Sequence, residues 1–182
     1  MNSPGRYSTP AVLLHWLVAL LIFVAFPLGV YMHELPLSPD KLKLYSYHKW
    51  IGITVLMLMG IRIAWRLTHT PPPLPRDLAS WQKRLGALVH GLLYVLMIAI
   101  PLSGWLMSSA KGFPTVWFGV LPLPDLVAKN RELGDLLTEV HEILNFVLLA
   151  SIILHVIGAL QHHFIERRPF LQRMAWGGKE NA

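Results

Sequence analysis

Four stretches of the chain lack Asp, Glu, Lys and Arg almost throughout, and charged residues crowd the segments between them. The first lies between Arg6 and Glu34, and its apolar part, residues 10–32, exceeds the about 20 helical residues that cross a bilayer core. The second, about residues 48–66, has an uncharged core from Trp50 to Ile61, so Arg62 and Arg66 must snorkel or pair to complete the crossing. Residues 85–110 and 140–165 make the third and fourth, the last uncharged from Ile143 to Ile165. This pattern predicts an all-α integral membrane protein, a bundle of four transmembrane helices forming one domain over residues 1–182. The first stretch is too long and too lightly basic at its start for a secretory signal peptide, and no small-residue cleavage site follows it.

Composition supports a chain dissolved in lipid. Hydrophobic residues make up 54% and charged residues 14%, against about 25% charged in ordinary soluble domains. The absence of cysteine excludes disulfides, iron–sulfur clusters, thiolate zinc sites and covalent haem attachment, so any metal must be held by His or carboxylate. A net charge of +6 could suit nucleic acid, but the basic residues flank apolar runs and form no stripe of their own, which makes them topological signals. Ten of the 16 Lys and Arg residues fall in the N-terminal, middle and C-terminal segments, which places both termini in the cytoplasm. Trp81 and Trp105 stand where interfacial anchors belong, and the middle segment carries Thr70-Pro-Pro-Pro-Leu-Pro75, an extended strap.

Nine histidines in so apolar a chain need a role, because an unpaired imidazole inside a span is costly. His141 and His155 share a face of the fourth span, about 21 Å apart along the axis at 1.5 Å per residue. His48 matches the depth of His141, and His15 or His90 matches that of His155. Two facing pairs at two depths of a four-helix bundle are what axial ligation of two b-type haems requires. Carboxylate-bridged metal centres are disfavoured, since no Asp or Glu lies within the uncharged spans. Gly52, one turn after His48, offers either room for a macrocycle or helix packing, and Gly86, Gly91, Gly104 and Pro101 in the third span mark close approach or a kink.

The segment Tyr7 to Leu17 with His15-Trp16, His48-Lys-Trp-Ile-Gly52 followed by Arg62 and Arg66, His90-Gly-Leu-Leu-Tyr94 with Pro101-Leu-Ser-Gly-Trp105, and His141-Glu142 with His155 resemble the bacterial cytochrome b561 family. The resemblance runs from about residue 5 to 170 and is strongest to the family's small stand-alone dihaem members. It implies His48 and His141 as ligands of a periplasmic-side haem, and His15 and His155 as ligands of a cytoplasmic-side haem. It also implies a ubiquinone pocket with His162 and the middle-loop Arg76 as contacts, Lys83 and Arg84 being alternatives to Arg76. The activity implied is oxidation of periplasmic superoxide with reduction of ubiquinone, in the bacterial inner membrane. The alternative is a cytochrome b anchor subunit that links a periplasmic dehydrogenase or hydrogenase partner to the quinone pool.

Overall fold

The computed structural model describes residues 5–75 and 77–175. Its frame is four long helices: α1 (Thr9–Glu34), α2 (Pro39–Thr68), α3 (Ser80–Ala110) and α4 (Arg131–Leu160). A two-stranded antiparallel hairpin, β1 (Val116–Trp117) and β2 (Leu121–Pro122), joins α3 to α4, with Trp117 opposite Leu121. Past α4 the chain continues through a π-helical turn (Gln161–Ile165) and a short 3-10 turn (Leu171–Met174). All four helices are long and apolar enough to span a membrane.

The helices overrun the uncharged stretches. α2 begins at Pro39 rather than near His48, and α4 at Arg131 rather than near residue 140. Absence of charge marks where lipid begins, not where helix begins, and the added turns are polar helix outside the apolar layer. Local chemistry sets the true starts. The Ser38 hydroxyl accepts from Lys41 N with Pro39 in the first turn, and Asn130 Oδ1 accepts from Leu133 N.

Consecutive helices pack side by side, α1 on α2, α2 on α3 and α3 on α4. Val18, Val55 and the fully buried Met59 make one core, and Val89, Leu93, Leu96, Ile100 and Leu148 the other. Leu20, Phe23, Leu88, Val95, Ile143 and Phe146 face outward, as a lipid-facing surface requires. Both termini of the helical frame lie at one end of the bundle, the terminal end, and the β-hairpin lies at the other, the hairpin end.

Arg173 ties the terminal end together. Its side chain is 5% exposed, donates to the carbonyls of Gly5, Pro72 and Pro73, and lies over the rings of Tyr7 and Phe170. Trp16 Nε1 adds a bond to the Met174 carbonyl. The proline-rich segment, residues 70–75, forms neither helix nor strand, since prolines lack the amide N–H that either needs, and Arg173 takes up its Pro72 and Pro73 carbonyls.

Candidate functional site between the helices

Two histidine pairs face each other across the bundle. His48 of α2 and His141 of α4 have ring centres 6.3 Å apart at 78°, towards the hairpin end. His15 of α1 and His155 of α4 have ring centres 6.2 Å apart at 67°, towards the terminal end. An imidazole nitrogen binds a first-row metal at about 2.0 Å with its ring centre roughly 1.1 Å behind, so two imidazoles facing one ion stand about 6.2 Å apart. Both pairs have that spacing. His90 of α3 lies 5.2 Å from His155, too close for an ion between those two rings. Among the described residues no group of three His, Asp or Glu converges as a metal site, so the arrangement suits a metal whose remaining ligands come from a macrocycle.

The surroundings fit such a group. The helix pairs that carry the facing histidines, α1 with α4 and α2 with α4, are not among the closely packed pairs, which leaves a gap bridged by the imidazoles. His48 is buried, with the Ala25 backbone within hydrogen-bonding reach of its ring. Glycine stands behind each imidazole of the hairpin-end pair: a Cβ on Gly29 would lie 3.1 Å from His48 Cε1, and one on Gly104 3.1 Å from His141 Cε1. These two glycines let the rings sit against the helix backbones. Gly52 does something else, since a Cβ there would meet only Pro101 Cβ at 4.0 Å, an ordinary helix-packing contact. Gly86 and Gly91 face open space.

Ser103 fixes how His141 is presented. Its hydroxyl donates to the Ile100 carbonyl at 2.8 Å, so its lone pair accepts from His141 Nδ1–H at 2.9 Å. The other ring nitrogen, Nε2, then carries the free lone pair that a metal needs. At the terminal-end pair the neighbour is a cation: Arg62 Nη2 lies 3.4 Å from His15 Nδ1. Arg62 donates from Nε to the Tyr94 hydroxyl at 3.1 Å and from Nη1 to the Ala11 carbonyl at 3.4 Å.

Beyond His48 the hairpin forms an aromatic cover. Trp50 Nε1 donates to the Val116 carbonyl, Trp117 Nε1 donates to Thr54 Oγ1, and Phe118 packs on both indoles. Phe118 and Gly119 both adopt positive φ, which bends the hairpin over the end of α2. Lys49 donates to Ser108 Oγ and to the Phe113 and Pro114 carbonyls, anchoring the α3 exit.

His162 sits at the terminal end in a polar cluster. Its Nδ1 donates to Glu166 Oε2 at 3.0 Å and its ring stacks on Phe170. Glu166 also accepts from Gln82 Nε2 at 2.8 Å and pairs with Arg168, which reaches Asp77. The His162 bond, above all, holds the Glu166 carboxyl below the ordinary carboxylate range, with Gln82 and Arg168 acting in the same direction. Arg76 lies outside the described residues. A separate cavity of about 470 Å³ opens among Arg6, Arg62, Trp65, Arg66, His69 and Tyr94, and His162 does not line it. Ser103, Gly29 and Glu166 escaped sequence reasoning. Of the three only Glu166 left a signal, one helical turn beyond His162.

Comparison with known proteins gives consistent matches. The family model described as prokaryotic cytochrome b561 matches residues 6–177. The chain is 35% identical to "Cytochrome b561 homolog 2" of Escherichia coli (strain K12) over 175 residues, 95% of this chain and 93% of that protein. It is 29% identical over 179 residues to "Probable superoxide oxidase CybB" of Yersinia pestis, covering 93% and 95% of the two chains. It is 28% identical to "Cytochrome b561 homolog 1" of Escherichia coli (strain K12) over 176 residues, 93% and 97% of the two.

Proposed function

The chain belongs to the prokaryotic cytochrome b561 family of membrane electron-transfer proteins, which bind b-type haem, and on that footing we propose that it is a dihaem superoxide:ubiquinone oxidoreductase of the bacterial inner membrane. The observation that carries this reading is the repetition of one metal-spaced histidine pair at two depths. The name of one relative, a probable superoxide oxidase, supplies the donor. In this reading the hairpin end is periplasmic and the terminal end, with both termini, is cytoplasmic, as the ten-to-six division of Lys and Arg favours.

His48 and His141 would hold the outer haem, and His15 and His155 the inner one. When bound, the haems supply one-electron transfer between the two faces. Two superoxide ions give up one electron each and leave as dioxygen, and one ubiquinone takes both electrons with two protons to become ubiquinol. Two imidazoles at each site leave no open coordination position, so at the outer face the chain need only admit superoxide to contact distance. His162 and Arg76 are the proposed ubiquinone contacts. Because Glu166 engages Nδ1 of His162, Nε2 is the nitrogen left to face the quinone.

The test is a stopped-flow experiment on the purified oxidised protein mixed with superoxide, with and without a ubiquinone analogue. Haem bands that become reduced near the diffusional ceiling of about 10⁸ to 10⁹ M⁻¹s⁻¹, with quinol then formed, are the expected result. Bands that stay oxidised refute it in favour of an anchor subunit that takes electrons from a periplasmic partner.

A further inference from the structure

The two histidine pairs differ in the charge behind them. His141 rests on a neutral hydroxyl, and among the described contacts no ammonium or guanidinium touches His48 or His141. Lys49, next to His48 in sequence, spends its ammonium on Ser108 and the loop carbonyls. His15, by contrast, has a guanidinium against it.

Arg62 is held there by neutral partners alone. The Tyr94 hydroxyl and the Ala11 carbonyl take its donors, Nη2 lies 3.4 Å from His15 Nδ1, and the guanidinium carbon lies 5.7 Å from the centre of the Tyr94 ring. No acidic side chain pairs with it among the described residues. It stands six residues inside the end of α2, about 9 Å at 1.5 Å per residue, where the apolar bundle screens charge poorly. The cavity that it lines adds Arg6 and Arg66 and no acid. An arginine in a span is costly and needs a reason to be there.

A fixed positive charge beside a redox centre stabilises the form that carries the extra electron and so raises its potential. Each b-type haem brings the same two propionates, so those charges do not distinguish the sites, whereas the guanidinium does. We infer that Arg62 makes the inner histidine pair the stronger electron acceptor of the two, drawing an electron that enters at His48 and His141 towards His15 and His155. Arg62 thus sets the direction of transfer without holding iron or touching substrate. The inference rests on the two-haem reading above.

The test is spectroelectrochemical titration of the purified holoprotein, with haem counted by the pyridine haemochrome method. Wild type should show two haems and two waves, the upper belonging to the inner site. That assignment is made by which wave survives in His141→Ala, or in His48→Ala should the first variant lose both haems. Arg62→Gln should lower the upper wave by a tenfold change in the electron's equilibrium share, about 59 mV for one electron, and leave the lower wave in place. Arg62→Lys, which keeps the charge, should restore most of the shift, and a merely structural role would not produce that recovery. Two haems with both waves unmoved in Arg62→Gln would overturn the inference. So would an inner wave below the outer one, which is read without any Arg62 variant. Fewer than two haems in wild type would instead refute the two-haem reading.

Discussion

Replacing Ser103 by alanine removes one atom from the protein's interior, the oxygen that accepts from His141 Nδ1–H at 2.9 Å. The site is buried, with Ser103 6% exposed, so no water takes the oxygen's place. The Nδ1–H keeps the Ile100 carbonyl as its remaining acceptor, so the cost is at most that of a fully unsatisfied donor, about 1–3 kcal/mol. At 1.4 kcal/mol per decade the ceiling is a loss of about 5- to 150-fold in how tightly the imidazole holds its metal, against the 10- to 100-fold typical when the partner of a ligand histidine is removed. The assay is transfer of haem from the oxidised protein to excess apomyoglobin. One haem, the outer, should leave faster by up to this factor while the other keeps its wild-type rate. Ser103→Thr retains the hydroxyl and should behave nearly as wild type. Departure of both haems at wild-type rates from Ser103→Ala would refute the argument that this hydroxyl presents His141 through Nε2.

The histidine pairs themselves make a second prediction: His15→Ala should remove the inner haem and His90→Ala should spare it, because only the first stands at metal spacing from His155. Pyridine haemochrome content distinguishes them, and loss of haem in His90→Ala alone would reassign the pair. Glu166 predicts a pH effect. Its carboxyl is lowered in the folded state, so the stability that it contributes is present above the ordinary carboxylate range and disappears as pH falls through the lowered value. Hydrogen-exchange protection factors across residues 161–175, which divide out the intrinsic pH dependence of exchange, should therefore be higher at pH 7 than below the lowered carboxyl value, and Glu166→Gln should already be less protected at pH 7. Equal protection factors above and below that value in wild type would sink that account.

The four spans were legible because lipid selects against charge, and the histidine positions because 3.6 residues per turn brings His141 and His155 to one face. The depth match of His48 with His141 followed from the helices running in alternate directions. Helix starts were not legible in the same way. Asp40, Lys41 and Lys43 look like a loop to a hydropathy argument, although Ser38 and Pro39 are a recognisable helix start. The groups around the imidazoles were hidden for another reason. Whether Gly52 or Gly29 lies against His48 depends on how α1 and α2 are rotated and tilted against each other, and one-dimensional spacing holds no such information. The same limit hid Ser103, which belongs to α3 but serves a residue of α4. The choice between His15 and His90 likewise turned on a difference of an ångström between two ring separations.

Both facing pairs draw one member from α4, the last of the four helices to leave the ribosome. A nascent chain that has threaded only α1, α2 and α3 into the membrane therefore possesses half of each pair and the whole of neither. The sites are completed together, in one insertion event, rather than one after the other. In the two-haem reading, quality control of such a protein has a simple form: a chain that stalls or is cut before α4 would have no place to retain a redox group at either face, and a chain that finishes would have both.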